Sequence, residues 1–281
     1  MRLLRYGPKG AEKPGLLDAD GAIRSLADHA SDIDGALLAG GLDAIRALDP
    51  ASLPLVPAGV RIAEPVARVG KFICIGLNYA DHAAEAGSPV PAEPIIFTKA
   101  ISAIIGPNDD VVLPPTSQKA DWEVELGIII GREARYVPLE TALDHVAGYC
   151  VVNDVSEREY QLERAGTWDK GKGCDTFGPF GPWLVTPDEI ADVQNLPMWL
   201  DLNGARMQTG NTATMIFNVP FLVHYVSQFM SLQPGDIIST GTPPGVGMGK
   251  KPPRFLKEGD VMTLGIAGLG EQRQTVRRYE R

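Results

Sequence analysis

Cysteine is scarce in this 281-residue chain. Cys74, Cys150 and Cys174 are odd in number, widely spaced and without a C-x-x-C pair, which argues against a disulfide framework or a structural zinc site. A reducing cytoplasm suits such a chain. Long apolar runs are missing too, so no segment reads as a membrane span. The opening "MRLLRYGPKGAEK" is charged too early and apolar over too short a stretch for a signal peptide, so a soluble, cytoplasmic protein is expected. Basic clusters are absent, and a net charge of -9 disfavours nucleic acid or an anionic membrane as a partner. An anionic substrate stays open, because one bound cation reverses the sign of a site. Internal repeats and low-complexity tracts are also lacking.

Glycine and proline, by contrast, are abundant, at 31 and 23 residues, and they punctuate short β-rich segments. These include "KFICIGLNY", "PIIFTKA", "DVVLP", "EVELGIIIG", "VAGYCVVND", "WLDLNG", "DIISTG" and "DVMTLGI". Residues 1–65 read as a small N-terminal β-containing domain and linker ending in the Pro-rich "LDPASLPLVPAGVRIAEP", and residues 66–281 as the main domain. Three helical patches stand out. "NYADHAAEAG" opens on Asn78 and closes at Gly87; "SEREYQLERAG" has a Ser156 cap and a Gly166 stop; "VPFLVHYVSQFM" has Pro220 near its start.

In "DWEVELGIIIGR", Glu123 and Glu125 are one residue apart, so in a strand they share a face. Two neighbouring anions cost energy unless water or a cation compensates them, which leaves a solvated strand edge or a metal site. Asp154, where "VVND" ends, is either a helix cap or a functional group at a strand end. Together the three would offer hard oxygen ligands, better suited to Mg2+, Mn2+ or Ca2+ than to zinc.

His82 and Glu85 are spaced i,i+3 and share a helix face, either as a surface pair or as an imidazole oriented by a carboxylate. Arg158 and Gln161 have the same spacing. Lys170 and Lys172 lie in the Gly-bounded "WDKGKGCDTFGP", where a lysine in a partly dry site could steady an oxyanion. "STGTPPGVGMGKK" offers Thr hydroxyls and backbone N–H groups, but its Gly-Lys spacing is wrong for a phosphate-binding loop and no Ser or Thr follows Lys250.

The run of "GLNYADHAAEAG", "PIIFTKA", "DWEVELGIIIGR", "VVNDVSEREYQ", "WDKGKGCDTFGP" and "TMIFNVPFLVHYVSQFMSLQPGDIISTGTPPGVG", in that order, resembles the fumarylacetoacetate hydrolase family across roughly residues 70–265. The resemblance implies an α+β, β-rich fold, a mixed β-sandwich or β-roll with few short helices, preceded by the small N-terminal domain of many bacterial members. By the same likeness Glu123, Glu125 and Asp154 are metal ligands, and His82 and Glu85 a water-activating dyad on a mobile lid. Lys172 matches the catalytic lysine, and Arg158, Gln161 and Thr242 match substrate-contacting positions. Lys170 matches none.

The activity implied by this likeness is that of a metal-dependent hydrolase, with Mg2+ or Mn2+, acting on a carbon–carbon bond of a 2,4-diketo acid. The products would be pyruvate and a carboxylic acid, and the enzyme a homodimer. Within the family the wording is nearest to members acting on 2,4-diketo-3-deoxy-L-rhamnonate or -fuconate in carbohydrate catabolism. Oxaloacetate decarboxylase, hydroxymuconate-type isomerase and ureidoglycolate lyase activities use the same metal-enolate chemistry. A metal-stabilised ligand-binding scaffold is the non-enzymatic alternative.

Overall fold

The alternating apolar pattern of "VELGIII" forms the central strand, Val124–Ile130. In the computed structural model, which describes residues 1–85, 87 and 89–280, Val124, Leu126, Ile128 and Ile130 enter one core while Ile129 enters another. Period-two alternation thus serves a strand buried on both faces. The strand pairs antiparallel with Val146–Asn153 on one side and Ile237–Ser239 on the other. One flank of the eleven-stranded sheet continues through Gly178–Val185, Arg2–Tyr6, Lys13–Leu17 and Ile23–Ser25, and the other through Phe72–Gly76 to Ile95–Lys99. Pairing along this path is antiparallel except where Ile237–Ser239 meets Phe72–Gly76.

A second, five-stranded sheet runs Ala205–Asn211, Pro197–Leu202, Val261–Ile266, Gly270–Arg278 and Val111–Leu113. Its Leu200, Leu202, Met262 and Leu264 share one core with Val124, Leu126 and Ile128. Each such aliphatic side chain contributes roughly 1.5–3 kcal/mol by leaving water. The result is the expected β-rich α+β sandwich with few short helices. No helix among the described residues is long and apolar enough to cross a membrane.

The main sheet runs across the expected boundary at residues 65 and 66, since Arg2 and Leu3 pair with Val185 and Leu184. Leu3, Leu38 and Ile45 share the second core with Ile129, Val152 and Phe180. The helix Gly35–Gly40, capped by the Asp34 carboxylate, and the helix Leu42–Arg46 supply part of that cover. Phe97 and Trp168 continue the same apolar layer towards the Glu125 end of the sheet.

Two of the expected helices differ from the sequence pattern. The first is Ala80–Glu85, and Asn78 does not cap it. Its Nδ2 donates to the carbonyls of Phe217 (3.0 Å) and Thr240 (2.7 Å), and its Oδ1 accepts from Phe217 N (2.8 Å), so Asn78 ties the helix base to two other segments. Of the stretch 78–88 assigned to a lid, Ala86 and Ser88 lie outside the described residues. In "SEREYQLERAG", Ser156–Glu157 pairs with Ala120–Asp121 and only Glu159–Glu163 coils, as one π turn. The cause is the buried Glu157 carboxylate, which accepts from Ser117 Oγ and Lys119 N and holds its segment extended. The third helix is Val219–Ser227, capped by the Asn218 side chain with Pro220 in its first turn.

Candidate active site

Antiparallel register brings the acidic residues together. Val124 lies opposite Asn153, and Asp154 N donates to Glu123 O at 2.9 Å, so the residues flanking that pair meet at one end of the sheet. Glu123, Glu125 and Asp154 are all buried, and each presents a carboxylate oxygen within 4.8 Å of the others. An exposed strand edge is therefore not what this pair of glutamates forms.

Three cations from the chain meet this cluster. Lys172 Nζ donates to Glu123 Oε2 and Asp154 Oδ2, both at 2.7 Å. Lys99 Nζ donates to Asp154 Oδ1 and to Val155 O at 3.0 Å. Arg158 donates through Nε to Asp121 Oδ2 (2.9 Å) and through Nη1 to Gln161 Oε1 (3.0 Å). Its Nη2 is 2.6 Å from Glu123 Oε1, so the guanidinium is ion-paired with both Asp121 and Glu123.

Four buried carboxylates, counting Asp121, face these three cations. Glu125 is the one without an ion-pair partner among the described residues. Its Oε2 accepts from Ser239 Oγ (2.5 Å) and Gly241 N (2.9 Å). Burial, then the negative charges of Asp154 and Glu123, push its carboxyl well above the ordinary carboxylate range. Burial acts the same way on Glu123, but the charges of Lys172 and Arg158 outweigh it and hold that carboxyl low. Burial would lower the Lys172 ammonium, and the charges of Asp154 and Glu123 overcome it, so it stays protonated.

A buried carboxylate lacking a cation, beside two more in an all-oxygen donor set, fits a hard divalent ion such as Mg2+ or Mn2+. Cysteine and histidine ligands, which would favour zinc, are not in the trio.

His82 and Glu85 share a face of their helix, with Nδ1 3.3 Å from Glu85 Oε2. Glu85 also accepts from Gly245 N at 3.0 Å through both oxygens, which latches the helix to the loop after Ile237–Ser239. Desolvation would raise the Glu85 carboxyl, but the His82 and Gly245 hydrogen bonds lower it. The latch depends on close approach: a Cβ at Gly249 would sit 2.5 Å from the Glu85 carboxyl carbon. Thr242 Oγ1 donates to Val124 O (2.9 Å) and accepts from Gln208 Nε2 (2.8 Å).

One cavity of about 280 Å³ is lined by His82, Glu123, Glu125, Arg158, Gln161, Lys172 and Thr242, among others. Asp154 lies just behind it through Lys172. All the residues that the family resemblance assigns to the site therefore meet, with Glu85 reaching the cavity through His82. Lys170 does not; it is exposed and donates to Ala165 O.

Sequence reasoning missed Lys99, Asp121, Gln208 and Ser239. Asp121 was within reach, because residues 121, 123 and 125 alternate. It holds the site together, accepting from Trp122 N, Gly247 N, Met248 N and Arg158 Nε. Lys99 ends the strand Ile95–Lys99 just after Ile-Ile-Phe-Thr, the only cue available. Its removal strands part of the Asp154 charge in a buried place, where breaking an ion pair costs about 3–5 kcal/mol. Lys99→Met should therefore lower the melting temperature, measured in chelator, by on the order of 10 °C; an unchanged melting temperature would mean that Asp154 does not need this partner.

Residues 71–277 match the family described as fumarylacetoacetate (FAA) hydrolase C-terminal. The chain is 63% identical over 279 residues, 99% of each sequence, to a protein of Burkholderia multivorans whose name goes no further than hydrolase. It superposes on a fumarylacetoacetate hydrolase of Exiguobacterium antarcticum with a TM-score of 0.89 and 35% identity, covering 99% of this chain and 100% of that one. A maleylpyruvate hydrolase of Sphingobium sp. SYK-6, in complex with manganese(II) and pyruvate, gives a TM-score of 0.82 and 32% identity with both chains fully covered. A 2-hydroxyhepta-2,4-diene-1,7-dioate isomerase of Mycobacterium marinum gives 0.75 and 33%, again over both full lengths.

Proposed function

This chain belongs to the fumarylacetoacetate hydrolase family, and on that premise we propose that it hydrolyses the C3–C4 bond of an acylpyruvate-type 2,4-diketo acid to pyruvate and a carboxylic acid. The observation that carries this reading is a single cavity lined by Glu123 and Glu125 of the carboxylate trio, by His82 with Glu85 behind it, and by the Lys172 ammonium. A metal-stabilised binding scaffold has use for the carboxylates but not for that pair and lysine together.

Glu123, Glu125 and Asp154 would hold the divalent ion, Mg2+ or Mn2+, which supplies Lewis acidity towards the 2-oxo acid end. Arg158, paired with Asp121 and Glu123, would present its charge to the substrate carboxylate, and Gln161 and Thr242 would position the same end. Because Nδ1 of His82 faces Glu85, its Nε2 carries the lone pair and takes a proton from water. The water oxygen then bonds to C4. Lys172 steadies the negative charge on the C4 oxygen. As the C3–C4 bond breaks, its electron pair passes to C3 and the adjoining 2-oxo group, and a proton returned to C3 completes pyruvate. A homodimer is the assembly proposed with this activity.

An isomerase is the second reading, because the isomerase structure is as similar in sequence as the maleylpyruvate hydrolase. The deciding experiment incubates the Mn2+-loaded protein with acetylpyruvate in H2(18)O. Hydrolysis gives equal pyruvate and acetate with one heavy oxygen in the acetate, and excess chelator reduces the rate to background. Isomerised product without pyruvate, or CO2 release from oxaloacetate alone, would replace this reading by the isomerase or the decarboxylase; turnover undiminished by chelation would remove the metal from it.

A further inference from the structure

Resting on the hydrolase reading, we propose that the acyl half of the substrate is an uncharged apolar group, alkyl or aryl, and carries neither a second carboxylate nor a polyol. The polar lining of the cavity is taken up by the residues described above. What remains of its wall is largely hydrocarbon: Ile75, Leu77, Phe97, Leu162, Trp168 and Met248.

The cations supply the first argument. Arg158 and Lys172 are the only lysine or arginine side chains lining the cavity among the described residues, and both are committed to the carboxylate end. Lys170 and Arg164, near the mouth in sequence, are directed to Ala165 O and Glu159 instead. A second substrate carboxylate would therefore lie unpaired against apolar side chains, an arrangement that disfavours charge strongly.

The backbone supplies the second. Leu77 has a φ of 53°, the left-handed region that glycine or asparagine occupies far more readily than leucine. A bulky apolar side chain kept there, on the cavity wall, points to a use for its hydrocarbon. Its neighbour Gly76 has no room for a Cβ, which would lie 2.5 Å from the Trp168 ring, so the indole packs directly on the strand. Trp168 also meets Phe97 edge to face at 5.4 Å. Phe97, Trp168 and Leu77 thus pack into one wall, and half of Leu162 stays open to water at 51% exposure until something covers it.

At about 280 Å³ the cavity is small for a ligand site, which limits the acyl chain to a few carbons or one ring. Within that limit each added methylene should raise kcat/KM about fourfold.

The test measures kcat/KM of the Mn2+-loaded protein on acetyl-, butanoyl-, pentanoyl-, hexanoyl- and benzoylpyruvate, with succinylpyruvate and a polyhydroxylated diketo acid as polar counterparts. We expect a rise with chain length to a plateau, and succinylpyruvate at least about 100-fold below pentanoylpyruvate, from which it differs by a carboxylate for an ethyl group. Leu77→Asn, which suits the left-handed backbone, should depress hexanoylpyruvate more than acetylpyruvate, through KM. Calorimetry on the non-cleavable pair 2-oxohexanoate and 2-oxoadipate should favour the former by a similar factor. Succinylpyruvate or the polyol cleaved as well as pentanoylpyruvate, or 2-oxoadipate bound as tightly as 2-oxohexanoate, overturns the proposal. If no acylpyruvate is cleaved while 2-oxohexanoate still binds better, the hydrolase reading fails and the apolar half-site stands.

Discussion

Replacement of His82 by alanine should lower kcat/KM for acylpyruvate cleavage about 100-fold to 10,000-fold, the usual contribution of a positioned general base. The same change should leave most of any oxaloacetate decarboxylation in place, because loss of CO2 needs an electron sink but no attacking water. The contrast is informative because the helix keeps other ties when the His82–Glu85 contact is lost. Gly245 N still holds Glu85, and Asn78 still ties the helix base to Phe217 and Thr240. A collapse of the helix Ala80–Glu85 would depress both reactions, whereas loss of a base depresses one. Cleavage at near wild-type rate with saturating metal would remove the dyad from the mechanism and move the isomerase ahead.

Lys172→Met should cost about 100-fold to 1,000-fold in both reactions, since it removes the cation beside the developing oxyanion. A second consequence has the opposite sign. Lys172 now neutralises Glu123 and Asp154 at 2.7 Å each, and without it the trio presents more uncompensated negative charge to a divalent ion. Calorimetric titration of the chelator-treated protein should then show tighter Mn2+ binding while turnover falls. General disruption of the site would weaken both, so looser metal binding in this variant would count against the lysine's assignment. The apoprotein should also lose stability, because two buried carboxylates lose a partner.

How much of this is open to a reader of the chain alone differs residue by residue. Glu123 and Glu125 can be placed on one face from period two alone, and Asp154 at a strand end from the apolar run before it. That the three meet depends on the register of Val124 opposite Asn153, which no local pattern specifies; resemblance to a family supplied it. His82 and Glu85 can be paired by helical spacing, but the burial of His82 cannot be foreseen, because it depends on the Gly245 loop folding back over the helix. Lys99 is hidden for the same reason on a larger scale, since it reaches Asp154 from the far flank of the sheet. The π turn at Glu159–Glu163 reads in sequence as a longer helix because its polar helix formers carry no sign of the buried Glu157 that holds the preceding segment extended.

The Gly245 and Ser239 contacts also bear on the order in which the site comes into being. Asp154 and Lys172 are 18 positions apart, Glu123 and Asn153 30, Asp154 and Lys99 55. The contacts that shut the site span more: 114 from Ser239 to Glu125 and 160 from Gly245 to Glu85. Loop closure costs more as the span grows, and distant pairings form after near ones. A chain being made from its amino end thus has its charged residues in hand by position 172, while the segments that will cover them are still to be added. Ser239 and Gly245, which close over Glu125 and Glu85, thus join the site last of all.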